Sequence, residues 1–227
     1  MVELADTPAL GAGGRKPLEV RVLSPALSPA LSPALACTAM AGLDRLQLRP
    51  ASPADSERVA WLHADSWRRH YRGAYSDAFL DGDVEADRRA VWARRLQDPD
   101  AASATIIAEE SAESLFGFVH VVFEDDPRWG ALIDNIHVAG ERQRSGVGTR
   151  LMAAAAGAVI ERRASGRLYL WVLEQNAAAQ AFYEARGARL AERAPVDAPG
   201  GIPGRLNGSP FKLRYVWPEP AVLRRHG

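Results

Sequence analysis

Leu132-Ile133-Asp134-Asn135-Ile136-His137-Val138 is followed, after a short break, by Glu141-Arg142-Gln143-Arg144-Ser145-Gly146-Val147-Gly148-Thr149-Arg150. The first string is apolar and β-branched, and it predicts a strand. From Val147 the residues Leu151, Ala155, Ala158 and Val159 recur at helical spacing, which predicts a helix to about residue 163. The turn between strand and helix combines two glycines, hydroxyls and cations at a helix N-terminus. Backbone N–H groups in such a turn can hold phosphate oxygens.

Working outward, the chain alternates unevenly between the two periods. Leu46 and Leu48 mark a short strand ending at Pro50, and Ser52-Pro53 opens a helix carrying Val59, Leu62, Ser66 and Trp67 to about His70. Tyr71-Arg72-Gly73 breaks it, and a second helix spans about residues 84 to 96 before Asp98-Pro99. Strands follow at 104–109, 115–123 and 131–138. Residues 168–173 are apolar on both faces, as in a central strand covered on each side. Asn176 caps a helix that ends at Gly187; residues 188–191 and 211–217 read as closing strands around a Pro/Gly-rich loop at 194–209. Three consecutive strands in the middle argue against a simple βαβ alternation. The fold class is therefore mixed α/β, a sheet flanked by helices.

Composition bounds the rest. The 227 residues are 47% hydrophobic and 25% charged, with 28 basic and 28 acidic side chains, so no global field favours nucleic acid. Cys37 is the lone cysteine, which excludes an internal disulfide framework and fits a cytoplasmic setting. No apolar run approaches the roughly 20 residues that cross a bilayer, and the N-terminus does not read as a signal peptide. Residues 1–43 contain three Ser-Pro-Ala-Leu units and no aromatic residue, and are expected to form a flexible extension, with Met40 as an alternative natural start. Residues 44–218 form the expected domain and 219–227 a short tail. His63 and His70 lie on one helix with no third ligand evident, so no metal is expected.

The turn itself discriminates among cofactor motifs. A nucleotide P-loop needs lysine before the hydroxyl residue, and Gly148 precedes Thr149; a dinucleotide fingerprint needs a third glycine where Leu151 stands. What remains is Gln143-Arg144-Ser145-Gly146-Val147-Gly148. This hexapeptide resembles the pyrophosphate-binding motif of the GNAT superfamily of N-acetyltransferases. Leu168-Tyr169-Leu170-Trp171-Val172-Leu173-Glu174-Gln175-Asn176 and Ala181-Phe182-Tyr183-Glu184-Ala185-Arg186-Gly187 resemble that family's later strand and helix end. His63-Ala64-Asp65-Ser66-Trp67-Arg68-Arg69-His70-Tyr71-Arg72-Gly73 is similar to a bacterial branch of it, and the resemblance spans about residues 45–217.

The resemblance implies a central twisted, mixed but mostly antiparallel sheet of six to seven strands, and acetyl-CoA as cosubstrate. It implies that the main chain of Ile136, His137 and Val138 pairs with the pantetheine arm, as a missing strand would. Their side chains are then left to the core. Gln143, Arg144, Ser145, Gly146, Val147, Gly148 and Thr149 would surround the diphosphate, with Asn176 reaching the arm while capping its helix. Ala178, Ala181, Phe182 and Ala185 are expected as the buried stripe of that helix, which leaves Tyr183 about 100° off Phe182, to turn out of the core and protonate the departing thiolate. The base candidates are Asp134, which shares strand parity with Ile136 and Val138, then Glu124, Asp125 and Asp126; an arginine-paired structural carboxylate is the alternative for Asp134. Trp67 and Tyr71, one turn apart, are placed at the acceptor pocket.

The expected activity is direct acetyl transfer to a primary amine of a small molecule or peptide. A non-catalytic acyl-CoA sensor and a nucleotide-binding module are the rivals. No nucleic acid or membrane partner is expected, and a homodimer is left open.

Overall fold

The computed structural model describes residues 46–111, 114–162 and 166–225. The expected N-terminal extension and its Met40 alternative lie outside the described residues, as does the expected helix end at residue 163.

The strands are β1 (Gln47–Pro50), β2 (Ser103–Glu109), β3 (Leu115–Asp126), β4 (Gly130–Val138), β5 (Leu168–Leu173), β6 (Arg189–Pro195) and β7 (Phe211–Trp217). They form one seven-stranded sheet in the order β1-β2-β3-β4-β5-β7-β6. Every neighbouring pair is antiparallel except β4 with β5. The mixed, mostly antiparallel sheet is therefore as expected. β5 lies inside it, which explains why all six of its residues are buried.

Among the described residues, five α-helices flank the sheet: α1 (Ser56–His70), α2 (Asp77–Asp81), α3 (Val84–Gln97), α4 (Val147–Glu161) and α5 (Ala177–Glu184). Side-chain alternation divides the core. Val119 and Val121 of β3 pack with Val147, Leu151, Met152 and Ala155 of α4, whereas Phe118 packs with Val59 and Leu62 of α1 and Trp92 and Leu96 of α3. The short α2 carries no clear periodic signal; Phe79 and Leu80 bury it against Trp67, Tyr71 and Tyr75.

α1 is anchored by charge. The Asp55 carboxylate accepts from the Ser52 N–H at 2.7 Å and from Arg49 Nη1 at 2.8 Å, and also pairs with Arg58. Arg49 and Arg58 each reach Glu109 at 2.6 Å. The start of α1 is thereby tied to β1 and β2.

Several boundaries differ from expectation: β3 runs on to Asp126 and the helix after Asn176 stops at Glu184. β6 runs on to Pro195, so the long loop begins after it and contains 3-10 turns at Pro199–Gly201 and Pro203–Arg205. Residues 219–227 were expected as a tail, but Pro220–Arg225 is a 3-10 turn whose Leu223 is fully buried in the main core. The Pro-Ala-Val-Leu run is too short for a periodicity test, yet Val222 and Leu223 are enough to dock the segment. Among the described residues, no helix is long and apolar enough to cross a membrane.

Candidate functional site

The site begins where β4 and β5 part. Their parallel register covers only Ala131↔Leu168, Leu132↔Tyr169 and Ile133↔Leu170. Immediately afterwards β4 bulges. Against β3, Asn135 faces His120 and Ile133 faces Val121, so Asp134 is the extra residue. A bulge bends its strand and interrupts the ladder, and here it opens a gap between the ends of β4 and β5.

Beyond the bulge, β4 pairs on one side only, through Asn135↔His120, Ile136↔Val119, His137↔Phe118 and Val138↔Gly117. Ala139 N–H donates to Phe116 C=O at 2.8 Å. Hydrogen-bonded and non-hydrogen-bonded pairs alternate in an antiparallel ladder. The backbone groups of His137 and Asn135 therefore point at β3, and those of Ile136 and Val138 point into the gap. This divides the expected trio: the main-chain groups of Ile136 and Val138 are turned into the gap, and those of His137 are turned to β3. The correction comes from register, which the sequence string does not contain.

The N-terminus of α4 stands at one end of that edge. Gly146 adopts φ +88 and Arg144 φ +62, both in the left-handed region, and no side chain caps the helix. Its first amides thus lack intrahelical acceptors. Ser145 Oγ donates to Arg142 C=O at 2.6 Å, closing the turn on itself. Gln143 Nε2 lies 3.3 Å from His70 Nε2, linking the turn to the end of α1. A Cβ on Gly148 would sit 3.2 Å from the Phe182 ring and 3.7 Å from Val138 Cγ2. Glycine there lets α5 close on α4 beside the β4 edge. An extended amide-bearing chain ending in a diphosphate fits these features: two outward peptide groups, then a positive helix terminus.

Arg186 is a residue that sequence reasoning did not single out. Its guanidinium lies 3.6 Å from the Phe182 ring centroid and donates to Thr149 Oγ1 at 2.5 Å and to Phe182 C=O at 2.9 Å. It locks α5 to the first turn of α4. The Thr149 hydroxyl is thus occupied by Arg186, and no sequence signal distinguishes this arginine from a solvated one.

Asn176 accepts the Ala179 N–H at 3.1 Å, as its capping role requires. The buried stripe of α5 is reversed from expectation. Tyr183 is the buried residue of the helix, Phe182 is half-buried, and Ala178, Ala181 and Ala185 are exposed. Tyr183 packs against Trp217 and Tyr215, at centroid distances of 6.0 and 6.3 Å. The two large rings of β7 draw the tyrosine inward, a tertiary effect that outweighs an alanine pattern. Burial raises the phenol's pKa well above its usual range, so it is protonated at neutral pH.

Asp134 is 1% exposed. Its Oδ2 pairs with Arg95 Nη1 of α3 at 2.8 Å and accepts from Asn135 Nδ2 at 2.6 Å. The parity argument that placed it beside Ile136 and Val138 fails, because the bulge resets the alternation at Asp134 itself. The other carboxylates, Glu124, Asp125 and Asp126, sit at the hairpin end of β3, remote along β4 from Val138. Asp126 accepts the N–H groups of Arg128 and Trp129 there, and Asp125 accepts the Tyr169 hydroxyl.

Trp67 and Tyr71, at 1% and 2% exposure, are brought together with centroids 5.3 Å apart. They join Tyr75, Phe79 and Leu173, the last residue of β5, in one cluster. The 203–207 segment is held over this cluster by Arg205 to Asp87 at 2.5 Å, and by Ser76 N–H to Arg205 C=O at 2.9 Å. Among the described residues, no group of three His, Cys, Asp or Glu side chains is placed to hold a metal ion.

Comparison with known proteins gives consistent relatives. The model of the acetyltransferase (GNAT) family matches residues 57–188. An uncharacterized N-acetyltransferase of Bacillus subtilis is 26% identical over 140 residues, 61% of this chain and 77% of that protein. A probable N-acetyltransferase of Mycobacterium tuberculosis is 27% identical over 139 residues, 61% and 77% of the two chains. Among solved structures, the PaiA N-acetyltransferase of Thermoplasma acidophilum in complex with coenzyme A superposes with a TM-score of 0.58 at 17% identity, covering 76% of this chain and 99% of that one.

Proposed function

The chain belongs to the acetyltransferase (GNAT) family, and on that premise we propose that it transfers an acetyl group from acetyl-CoA to a primary amine of a small molecule or peptide. The observation that carries the proposal is the free edge of β4 beyond Ile133, with Ile136 and Val138 turned into the gap and the αL turn at Gly146 adjoining it. The relatives' names point the same way, and the PaiA neighbour holds coenzyme A in its own structure.

In this reading Ile136 and Val138 bind the pantetheine amides. The turn from Gln143 to Thr149, with its cations Arg144 and Arg150, holds the diphosphate. Asn176 supports the arm from the start of α5. The Val138 N–H, directed into the gap, stabilises charge as it develops on the carbonyl oxygen. Tyr183 supplies a proton to the departing sulfur, since a desolvated phenol remains protonated until it is needed. Asp134 organises the bulge through Arg95 and Asn135. Transfer is direct within a ternary complex, which gains from orientation alone.

A non-catalytic acyl-CoA sensor is the second reading, and the closed packing of Trp67 and Tyr71 favours it, because those residues leave little room beside Leu173. One pair of experiments separates the possibilities. Thermal shift with acetyl-CoA, CoA, ATP and NAD should show stabilisation by the first two only. An amine panel scored by released CoA should then yield turnover; binding without turnover identifies a sensor, and no shift with acetyl-CoA ends the proposal.

A further inference from the structure

Behind the open edge of β4, on the face covered by α1 and α3, the protein buries more hydrogen-bonding capacity than it uses. His137 is 1% exposed, and neither Nδ1 nor Nε2 has a hydrogen-bond partner among the described residues. Asn135, two residues back and so on the same face of the strand, is fully buried with Oδ1 likewise unpartnered. Trp67 Nε1 on α1 is another such group. A buried polar group left unsatisfied carries its full desolvation penalty. A concentration of them on the strand that borders the gap between β4 and β5 is the pattern of a site that a polar ligand or its water completes.

The rings connect these groups. The His63 ring centroid lies 4.8 Å from that of Trp67 and 4.3 Å from that of His137. Trp92 Nε1 donates to His63 Nδ1 at 2.9 Å, so the neutral His63 ring carries its proton on Nε2. Burial lowers the pKa of both histidines, and Arg88 lowers them further. Each is neutral at physiological pH, and His137 keeps a lone pair available.

We propose that His137 receives the proton of the attacking amine, with Asn135 Oδ1 positioning the amine for attack. The proposal rests on the acetyl-transfer reading above. The chemistry of the pair suits an amine. A neutral imidazole offers one acceptor and one donor, and the amide oxygen offers a second acceptor. Asp134, the nearby carboxylate, is engaged by Arg95 and Asn135. His137 also differs from its two neighbours in the expected trio: its main chain is committed to β3, so its side chain is what it can contribute.

The step balances without a further reactant. The amine nitrogen bonds to the carbonyl carbon, and one N–H proton passes to the imidazole. The carbon–sulfur bond breaks, and the sulfur takes the Tyr183 proton. Exchange through solvent returns the His137 proton to the phenolate. The titratable and charged groups acting on His137 are His63 and His70 on α1 and Arg88 on α3; Arg95 on α3 and His120 on β3 act on the neighbouring His63, and Arg95 is paired with Asp134. With cations prevailing, the imidazolium is disfavoured and gives its proton up readily.

The test compares wild type with His137→Gln, using the best acceptor from the amine panel. Acetyl-CoA Kd should stay within twofold, while kcat at neutral pH falls about 100-fold, in the range of one general base. The loss should shrink towards high pH, where hydroxide can substitute. A kcat within twofold of wild type, or an equal loss at every pH, overturns the proposal. A second readout requires neither turnover nor a stable variant: imidazole 15N resonances of the wild-type protein saturated with CoA, titrated with propylamine. A shift at His137 supports the assignment, and an unmoved resonance rejects it. If wild type acetylates no amine, the acetyl-transfer reading fails separately, and the titration still decides whether His137 meets an amine.

Discussion

Gly148 and Phe182 face each other across the junction of α4 and α5, so close that a Cβ on the glycine would stand 3.2 Å from the aromatic ring. The same Cβ would lie 3.7 Å from Val138 Cγ2, at the edge where a cofactor amide is proposed to pair. Gly148→Ala is therefore expected to push Phe182 or the helix terminus outward by a few tenths of an ångström. We expect acetyl-CoA Kd to rise about tenfold, equal to about 1.4 kcal/mol, with only a small fall in Tm. Titration calorimetry with acetyl-CoA checks this; an unchanged Kd would show that the glycine serves helix packing alone.

Tyr183 is buried against Trp217 and Tyr215 and its phenol is held protonated. Tyr183→Phe preserves that packing and removes the proton. Turnover should fall by about 10- to 100-fold on the scale of a single general acid, with acetyl-CoA affinity intact. Equal turnover in the variant would refute the acid role.

Asp134→Asn tests the division of labour around the bulge. The substitution leaves Arg95 Nη1 facing a neutral amide, and breaking one side of a largely buried pair is strongly destabilising. Arg95 is 25% exposed, so the expected loss is moderated to about 2 kcal/mol. The shape of the pH–rate profile should be unchanged in the protein that remains folded. Loss of its acidic limb at unaltered Tm would instead make Asp134 the base.

Acid should loosen the anchor of α1. Arg49, with Arg58 and Ser52 adding to it, holds the Asp55 carboxyl far below the ordinary carboxylate range. A depressed folded pKa gives stability that is fully present above the unfolded value near roughly 3.9 and is lost as pH falls below it. Asp55→Asn should lower unfolding free energy by about 2 kcal/mol at pH 7 and flatten the stability curve below pH ~4. Chemical denaturation at pH 7 and at pH 3 measures both; a variant as stable as wild type at pH 7 would show the ion-pair knot to be dispensable.

Much of the fold is legible without coordinates. β5 at Leu168–Leu173 and β7 at Phe211–Trp217 coincide with their expected spans, because an unbroken apolar run in β5 and aromatic and β-branched residues between polar breaks in β7 leave few alternatives. Asn176 and Gly146 announce their helix boundaries through side-chain and backbone chemistry that acts within a turn. α2, the docked segment around Leu223 and the reversed burial of α5 are not legible. In each, the deciding partner is distant in sequence: Trp67 for Phe79, the main core for Leu223, Trp217 for Tyr183.

The same division runs through the site. Local sequence by itself determines a strand, a glycine turn and an alanine-rich helix in that order, since hydrophobic period and backbone freedom are short-range properties. Which backbone groups of β4 face the gap depends on its register with β3, and the orientation of Asp134 depends on a bulge created by that register. The His137 ring acquires its meaning only when α1 brings His63 and Trp67 over it. Register, bulge and burial are relations between strands and helices far apart in the chain, so the tertiary structure alone decides them.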